Sequence, residues 1–272
     1  MDFAAQPIGS ASMRGTLEQL YTYPVKGLSA QSVDKAALRA GEGFPDDRLF
    51  GFARHDSGFD PHDPQPLPKD RFVVLVKEER LAGLATRFDP VSRHLVISVQ
   101  GHVVFDRKLT NENTVREAED FIARMFDLED GMRPIFAYSG VHRFTDVSVV
   151  SKELMNAVSL INLDTVRDLE QRICAPVDPL RFRANIYFSG WEAGSELDLM
   201  GRTFRIGAAR MRIIKRTRRC AATEVNPVTA RRDLKTPRLI MQHYGHADMG
   251  VYAEVIEGGE IRSGDTVVID EE

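Results

Sequence analysis

Short runs of β-forming residues, broken at close intervals by Pro, Gly and Asp, set the main limit on what this chain can fold into. Residues 16–23 (T-L-E-Q-L-Y-T-Y) favour a strand and stop at Pro24, which cannot donate to a central ladder. Residues 32–39 and 48–54 read as strands on either side of the turn-prone G-E-G-F-P-D-D. Residues 56–70 carry four prolines and no periodicity, so they are predicted to be a surface loop. Residues 71–76 are apolar and β-branched, and the E-E-R-L-A-G-L-A that follows could turn helical. Further short strands are predicted at 87–89, 94–99, 103–105, 134–138, 147–150, 186–188, 203–206, 211–214, 251–256 and 266–269. Helical spacing is clearest at 113–126, where Val115, Ala118, Ile122, Met125 and Phe126 share a face; this helix is placed between two halves of the chain. Ser151 is a candidate N-cap for a helix, and another is expected near 165–172. Many short strands with few helices predict a mainly β (α+β) fold built on β-barrels rather than a parallel sheet wrapped by helices.

Composition excludes several functions. The 36 Lys and Arg against 40 Asp and Glu give a net charge of -4, so the whole chain attracts neither nucleic acid nor an acidic membrane. No cationic lead precedes an apolar segment at the N-terminus, and no run of about 18 apolar residues could span a bilayer. No nucleic-acid partner, no membrane and a cytoplasmic location are therefore expected. Two cysteines form neither a disulfide framework nor a Cys-x-x-Cys pair, which fits a reducing compartment. Cys174, in Q-R-I-C-A-P, reads as structural. The histidines show no ligand spacing; His243 and His246 read as loop residues. No glycine-rich phosphate loop occurs.

The other thiol has unusual company. Between Arg205 and Arg219 lie seven cations and no carboxylate, and Cys220 follows Lys215, Arg216, Arg218 and Arg219. An isolated cysteine after an apolar run is usually a small buried hydrophobe, and an arginine cluster is usually a solvated face. Fixed positive charge nevertheless favours the thiolate, which is both nucleophile and metal ligand, and the same cations can hold an anion beside it. Cys220 is thus the candidate catalytic centre.

The full pattern around this thiol resembles the MOSC domain family. Arg219, Cys220, Thr223, Val225, Pro227, Thr229 and Asp233 occupy the places of that family's Arg-Cys segment. The likeness extends upstream to D-P-L-R-F-R-A-N-I-Y-F-S-G (178–190) and downstream to the strands at 250–267, and takes in S-V-V-S-K-E-L near Ser148. The first third resembles the β-barrel domain that precedes MOSC in many members, through Y-P-V-K-G (23–27) and D-D-R-L-F (46–50). Gly27 replaces a hydroxyl residue, Ala184 a proline, and the family's Gln-Arg pair near residue 75 has no match. The resemblance implies an N-terminal β-barrel domain at 14–110 and a MOSC β-barrel domain with a few helices at 111–272.

It also implies chemistry. The group includes the amidoxime-reducing component and bacterial reductases of N-hydroxylated compounds, which use a molybdenum cofactor, and in them the cysteine of this motif ligates molybdenum. By motif position Cys220 would be the metal ligand, and Lys26, Arg48, Arg183, Asn185 and Arg219 the cofactor-binding residues. Arg48, preceded by two aspartates, could equally form a salt bridge. The expected partners are a small-molecule substrate and an external electron-transfer protein, because no four-cysteine iron-sulfur segment is present. Two alternatives remain: a sulfur carrier using a persulfide on Cys220, and a module that binds an anion without turnover.

Overall fold

The computed structural model describes residues 13–129, 131–140 and 142–271. In chain order it contains β1 (Arg14–Thr22), β2 (Val25–Lys26), β3 (Gln31–Val33), β4 (Lys35–Leu38), β5 (Phe50–Ala53), β6 (Ala85–Asp89), β7 (His94–Val99), β8 (His102–Lys108) and α1 (Glu112–Met125). There follow β9 (Ile135–Tyr138), α2 (Lys152–Met155), β10 (Val158–Asn162), α3 (Leu163–Ile173), β11 (Ile186–Ser189), β12 (Thr203–Ile206), β13 (Ala209–Arg218), α4 (Thr236–Tyr244), β14 (Asp248–Glu257), β15 (Gly259–Arg262) and β16 (Thr266–Ile269).

Seven strands close a barrel in the order β11, β10, β14, β13, β12, β16, β1 and back to β11, with β3 added beside β1. Every pair around the ring is antiparallel except β10–β11. Closure leaves the ring without a free edge, and the inward side chains, among them Leu17, Leu160, Phe188, Met211, Ile213 and Val251, form one buried cluster. The mainly β expectation holds.

A smaller unit lies against the barrel. It comprises the sheet β2-β5-β9, the antiparallel meander β6-β7-β8 and α1, whose Ala118, Phe121 and Ile122 pack with Phe50, Leu95 and Ile97. Asn111 opens α1 by accepting the Thr114 N–H at 3.0 Å, while Thr114 Oγ1 receives the Asn111 N–H, so two otherwise unpaired donors are satisfied together. This helix packs on β8 and β9, within the smaller unit.

Some expectations fail for identifiable reasons. Residues 147–150 are a turn, not a strand: Ser148 donates both its N–H and its hydroxyl to the Thr145 carbonyl, and Val150 N–H closes on Val147. β10 is wholly buried between β11 and β14, so its V-S-L-I-N lacks the alternation that reveals a half-exposed strand. α4 has Pro237 in its first turn, where a missing N–H costs nothing, so the proline that looks like a breaker is a starter; His243 lies in this helix, not in a loop. Cys174 is exposed, at the left-handed C-cap of α3. No helix among the described residues is long and apolar enough to cross a membrane.

Candidate functional site

The two short N-terminal motifs are halves of one cross-connection. Pro24 ends β1, and the chain is then held by Tyr23 N–H donating to Asp47 Oδ1 at 2.9 Å, while Arg48 N–H donates to the Tyr23 carbonyl at 2.8 Å. This places Lys26 and Arg48 on one side of a cleft of about 240 Å³ between the smaller unit and the barrel's outer wall. Lys26 is 4% exposed, and its Nζ donates to Asp146 Oδ1 at 2.6 Å. Burial pulls the Lys26 ammonium below its ordinary pKa, and Asp146 opposes that pull. Burial pushes Asp146 upward, but the charge and hydrogen bond of Lys26, then Lys69 and Arg48, outweigh it and hold the carboxyl well below the usual range. Half of the Asp146 side chain is nonetheless accessible, because it lines the open cleft, so its desolvation is partial.

Arg48 forms the salt bridge that its neighbouring aspartates allow, and it also lines the cleft. It pairs with Asp47 and donates to the Arg183 carbonyl at 2.9 Å, while its guanidinium lies 4.5 Å from the Tyr23 ring centroid. Arg183, in a left-handed conformation at φ 52°, stands at the same 4.5 Å from Tyr23 and donates to the Leu28 carbonyl. Two of the departures from the family pattern, Gly27 and Ala184, have causes in the structure. Gly27 sits at φ 87°, and a Cβ there would lie 2.6 Å from the Val73 carbonyl oxygen, so no hydroxyl side chain fits. Ala184 donates its N–H to the Tyr187 hydroxyl at 3.0 Å, a tie that a proline could not make and that fixes the same turn. Asn185 lines the cleft but spends its Oδ1 on Ser159 N–H and Oγ and one amide hydrogen on the Tyr21 carbonyl, leaving one donor.

Cys220 lies two residues past the end of β13 and caps a tight turn at Ala221–Glu224. Its carbonyl accepts both the Thr223 N–H and the Thr223 hydroxyl, and the Thr236 hydroxyl donates to the Thr223 carbonyl. Asp233 takes hydrogen bonds from buried Arg181 and from Asn226, and Val225 is packed in the smaller unit's core. The motif's Thr, Val and Asp thus fold a loop that presents the thiol. Arg232 fastens this loop across the cleft, donating to the carbonyls of Ala221, Leu75 and Val76.

Beside the partly exposed thiol, Arg219 gives Nε to Met249 and Nη1 to Phe182, but its buried Nη2 has no partner. Thr145 Oγ1 and Thr217 Oγ1, also lining the cleft, are buried and unpartnered as well. Arg181, another lining residue, has an unpartnered Nε, and because unsatisfied buried polar atoms are costly, four of them around one cationic cleft make it a candidate site for a polar ligand. Burial lowers the pKa of Arg183 and of Arg219, but a guanidinium stays protonated, so the cleft is fixed in positive charge.

The structure therefore brings Lys26, Arg48, Arg183, Asn185, Arg219 and Cys220 together, from four separated stretches of chain. Sequence reasoning missed Asp146, Lys69 and Tyr252. Lys69 lines the same cleft as Cys220; burial lowers its pKa, but Asp146 and then Cys220 raise it by more. Burial, then Asp146, raises the Tyr252 phenol, which stays a neutral donor. Lys69 comes from a proline-rich loop, Asp146 from an irregular segment and Tyr252 from a strand, and none carries a local signal. Among the described residues no three His, Cys, Asp or Glu side chains gather to hold a metal ion.

Residues 14–132 match the family model of the MOSC N-terminal beta barrel domain, and residues 141–268 that of the MOSC domain. The chain is 26% identical, over 286 aligned positions, to mitochondrial amidoxime-reducing component 1 of Xenopus laevis, spanning 93% of this chain and 81% of that one. Among solved structures it is similar to the YUAD protein of Bacillus subtilis, at 14% identity and a TM-score of 0.44 over 96% of this chain and 98% of that one. YiiM of Geobacillus stearothermophilus is similar over 42% of this chain and 54% of its own, at 21% identity and a TM-score of 0.34. Likenesses to solved structures at these scores carry no functional argument.

Proposed function

We propose, for a chain that belongs to the MOSC-domain family and carries that family's N-terminal β-barrel domain, that the cleft holds a pyranopterin molybdenum cofactor and reduces N-hydroxylated small molecules with electrons from a separate protein. The name of the amidoxime-reducing relative supports the substrate class. The observation that carries the reading is the convergence of Lys26, Arg48, Arg183, Arg219 and Cys220 on one cleft whose lining residues also include four unpartnered buried polar atoms. A phosphate and an electron-rich ring system would use both.

In this reading Lys26, Arg48, Arg183 and Arg219 meet the phosphate and pterin, Asn185 gives its remaining amide hydrogen, and Cys220 supplies the thiolate ligand to the metal. When bound, the cofactor supplies the two-electron redox change for R–NH–OH + 2e⁻ + 2H⁺ → R–NH₂ + H₂O. The chain's own side chains position the N–O group and deliver protons. Asp146 is ionised and has none to give, whereas Lys69 and Tyr252 each carry one at the cleft.

The test is metal and pterin analysis of protein made in a host that synthesises molybdopterin. Cys220→Ser is expected to keep much of the pterin, because the cations remain, and to lose N-hydroxy reductase activity. Accessibility of the thiol beside Lys69 favours a second reading, a persulfide carrier. Protein with neither molybdenum nor pterin, but gaining one sulfur atom at Cys220 from a cysteine desulfurase, would replace the first reading with the second.

A further inference from the structure

Of the cations on β13, Arg210 pairs with Asp270 and Glu257, Arg212 with Glu254 and Arg216 with Asp198. Lys215 and Arg218 line the cleft, are exposed, and form no ion pair or hydrogen bond among the described residues. The backbone explains how Lys215 comes to be there. Between Ile213 and Lys215 the register against β14 shifts, so that Ile213 faces Ala253 and Lys215 faces Tyr252. The extra residue, Ile214, puts Lys215 on the same side of the sheet as Tyr252, itself a cleft residue. Without the bulge Lys215 would lie opposite Val251, which belongs to the barrel core.

We infer that Lys215, with Arg218, is a specificity-determining rim that reads an anionic substituent, a carboxylate or phosphate, on the substrate, apart from the group that reacts. The inference deepens the reductase reading and rests on it for the identity of the reacting group. The deeper cations are already anchored: Lys26 to Asp146, Arg48 to Asp47, Arg183 to the Leu28 carbonyl, and Arg219 to the carbonyls of Met249 and Phe182. An exposed ammonium with no side-chain partner among the described residues meets what enters last. Free rim charge raises the local concentration of an incoming anion and discriminates against neutral analogues, in a salt-dependent way.

Two measurements test this. Alkylation of Cys220 by iodoacetate and by iodoacetamide, in a Cys174→Ser background, reads the charge at the rim without any cofactor. The anionic-to-neutral rate ratio is expected to fall about threefold in Lys215→Gln at low salt, to fall further when Arg218→Gln is added, and to stay near wild type in Lys215→Arg. Arg212→Gln, the same charge change at a paired position on the same strand, should leave the ratio unchanged. On loaded enzyme, kcat/KM for an aryl amidoxime bearing a ring carboxylate, relative to its neutral parent, should fall in parallel. If Lys215→Gln shifts neither ratio beyond the Arg212→Gln control, the inference is overturned. Lack of reduction of both compounds while the alkylation ratio still depends on Lys215 would remove the reductase reading and leave the anion-reading rim standing. If Lys215→Gln alters only the KM for the electron-donor protein, the rim serves docking and the inference also fails.

Discussion

Gly250 shows how one residue holds the site. It adopts φ 72°, and a Cβ there would lie 2.3 Å from the Leu160 carbonyl oxygen and 3.2 Å from Arg219 Nη2. Gly250→Ala is expected to destabilise the fold by about 2–3 kcal/mol through backbone strain and contact with a neighbouring strand, measured by denaturant unfolding, and to weaken anion binding by displacing Arg219. Asp146 sets the pH behaviour. Its carboxyl is held low mainly because Lys26 outweighs the opposing effect of burial, so what it contributes to stability is complete above the unfolded carboxyl pKa of about 4 and lost as pH falls below that. Wild type minus Asp146→Asn stability, measured from pH 6 to pH 2.5, should therefore shrink as the solution is acidified. A difference that grows on acidification would refute the assignment of the ionised pair.

Among the elements, the Cys220 loop and the segment after Val74 are coupled through one side chain. Arg232 donates to two carbonyls of that segment and to Ala221, and also approaches Glu79 and Glu224. Arg232→Ala orphans three carbonyl acceptors at once, and is expected to cost about 2 kcal/mol. Hydrogen exchange should show lost protection at residues 75–79 and 221–225, with the barrel strands β10 and β14 unchanged. Equal loosening throughout the barrel would show that Arg232 supports the whole fold and not the loop. The bulge at Ile214 acts on the same scale, since it changes which face of β13 a lysine occupies without changing the strand's core residues.

Over the whole molecule, the division into 14–110 and 111–272 remains a proposal about units of sequence, and in space the barrel draws on both. β1 lies between β16 and β11, pairing Gly15 with Val267 and Leu20 with Ile186, so the ring needs the first described strand as well as the last. A fragment of residues 111–272 would carry two unpaired strand edges and lack Leu17 and Leu20 of the core. It should show no cooperative thermal transition by circular dichroism, and adding residues 14–22 after Asp270 through a flexible linker should restore one. A cooperative transition in the bare fragment would show that the six remaining strands close without β1.

What the sequence determined by itself is local. The stop at Pro24, the Ser151 cap of α2 and the density of β-forming runs each depend on dihedral preferences and hydrogen bonds between residues a few positions apart, and these are legible in order along the chain. The thiol and its five partners were legible because their motifs are local too. Tertiary structure alone decided the rest. Lys26 meets Asp146 across 120 positions, and Arg183 meets Leu28 across 155. The wholly buried β10 hides its periodicity. Closure of the barrel, the register that turns Lys215 into the cleft, and the placing of Lys69 and Cys220 on one cleft come from packing between distant segments, and no spacing within one segment encodes such a meeting.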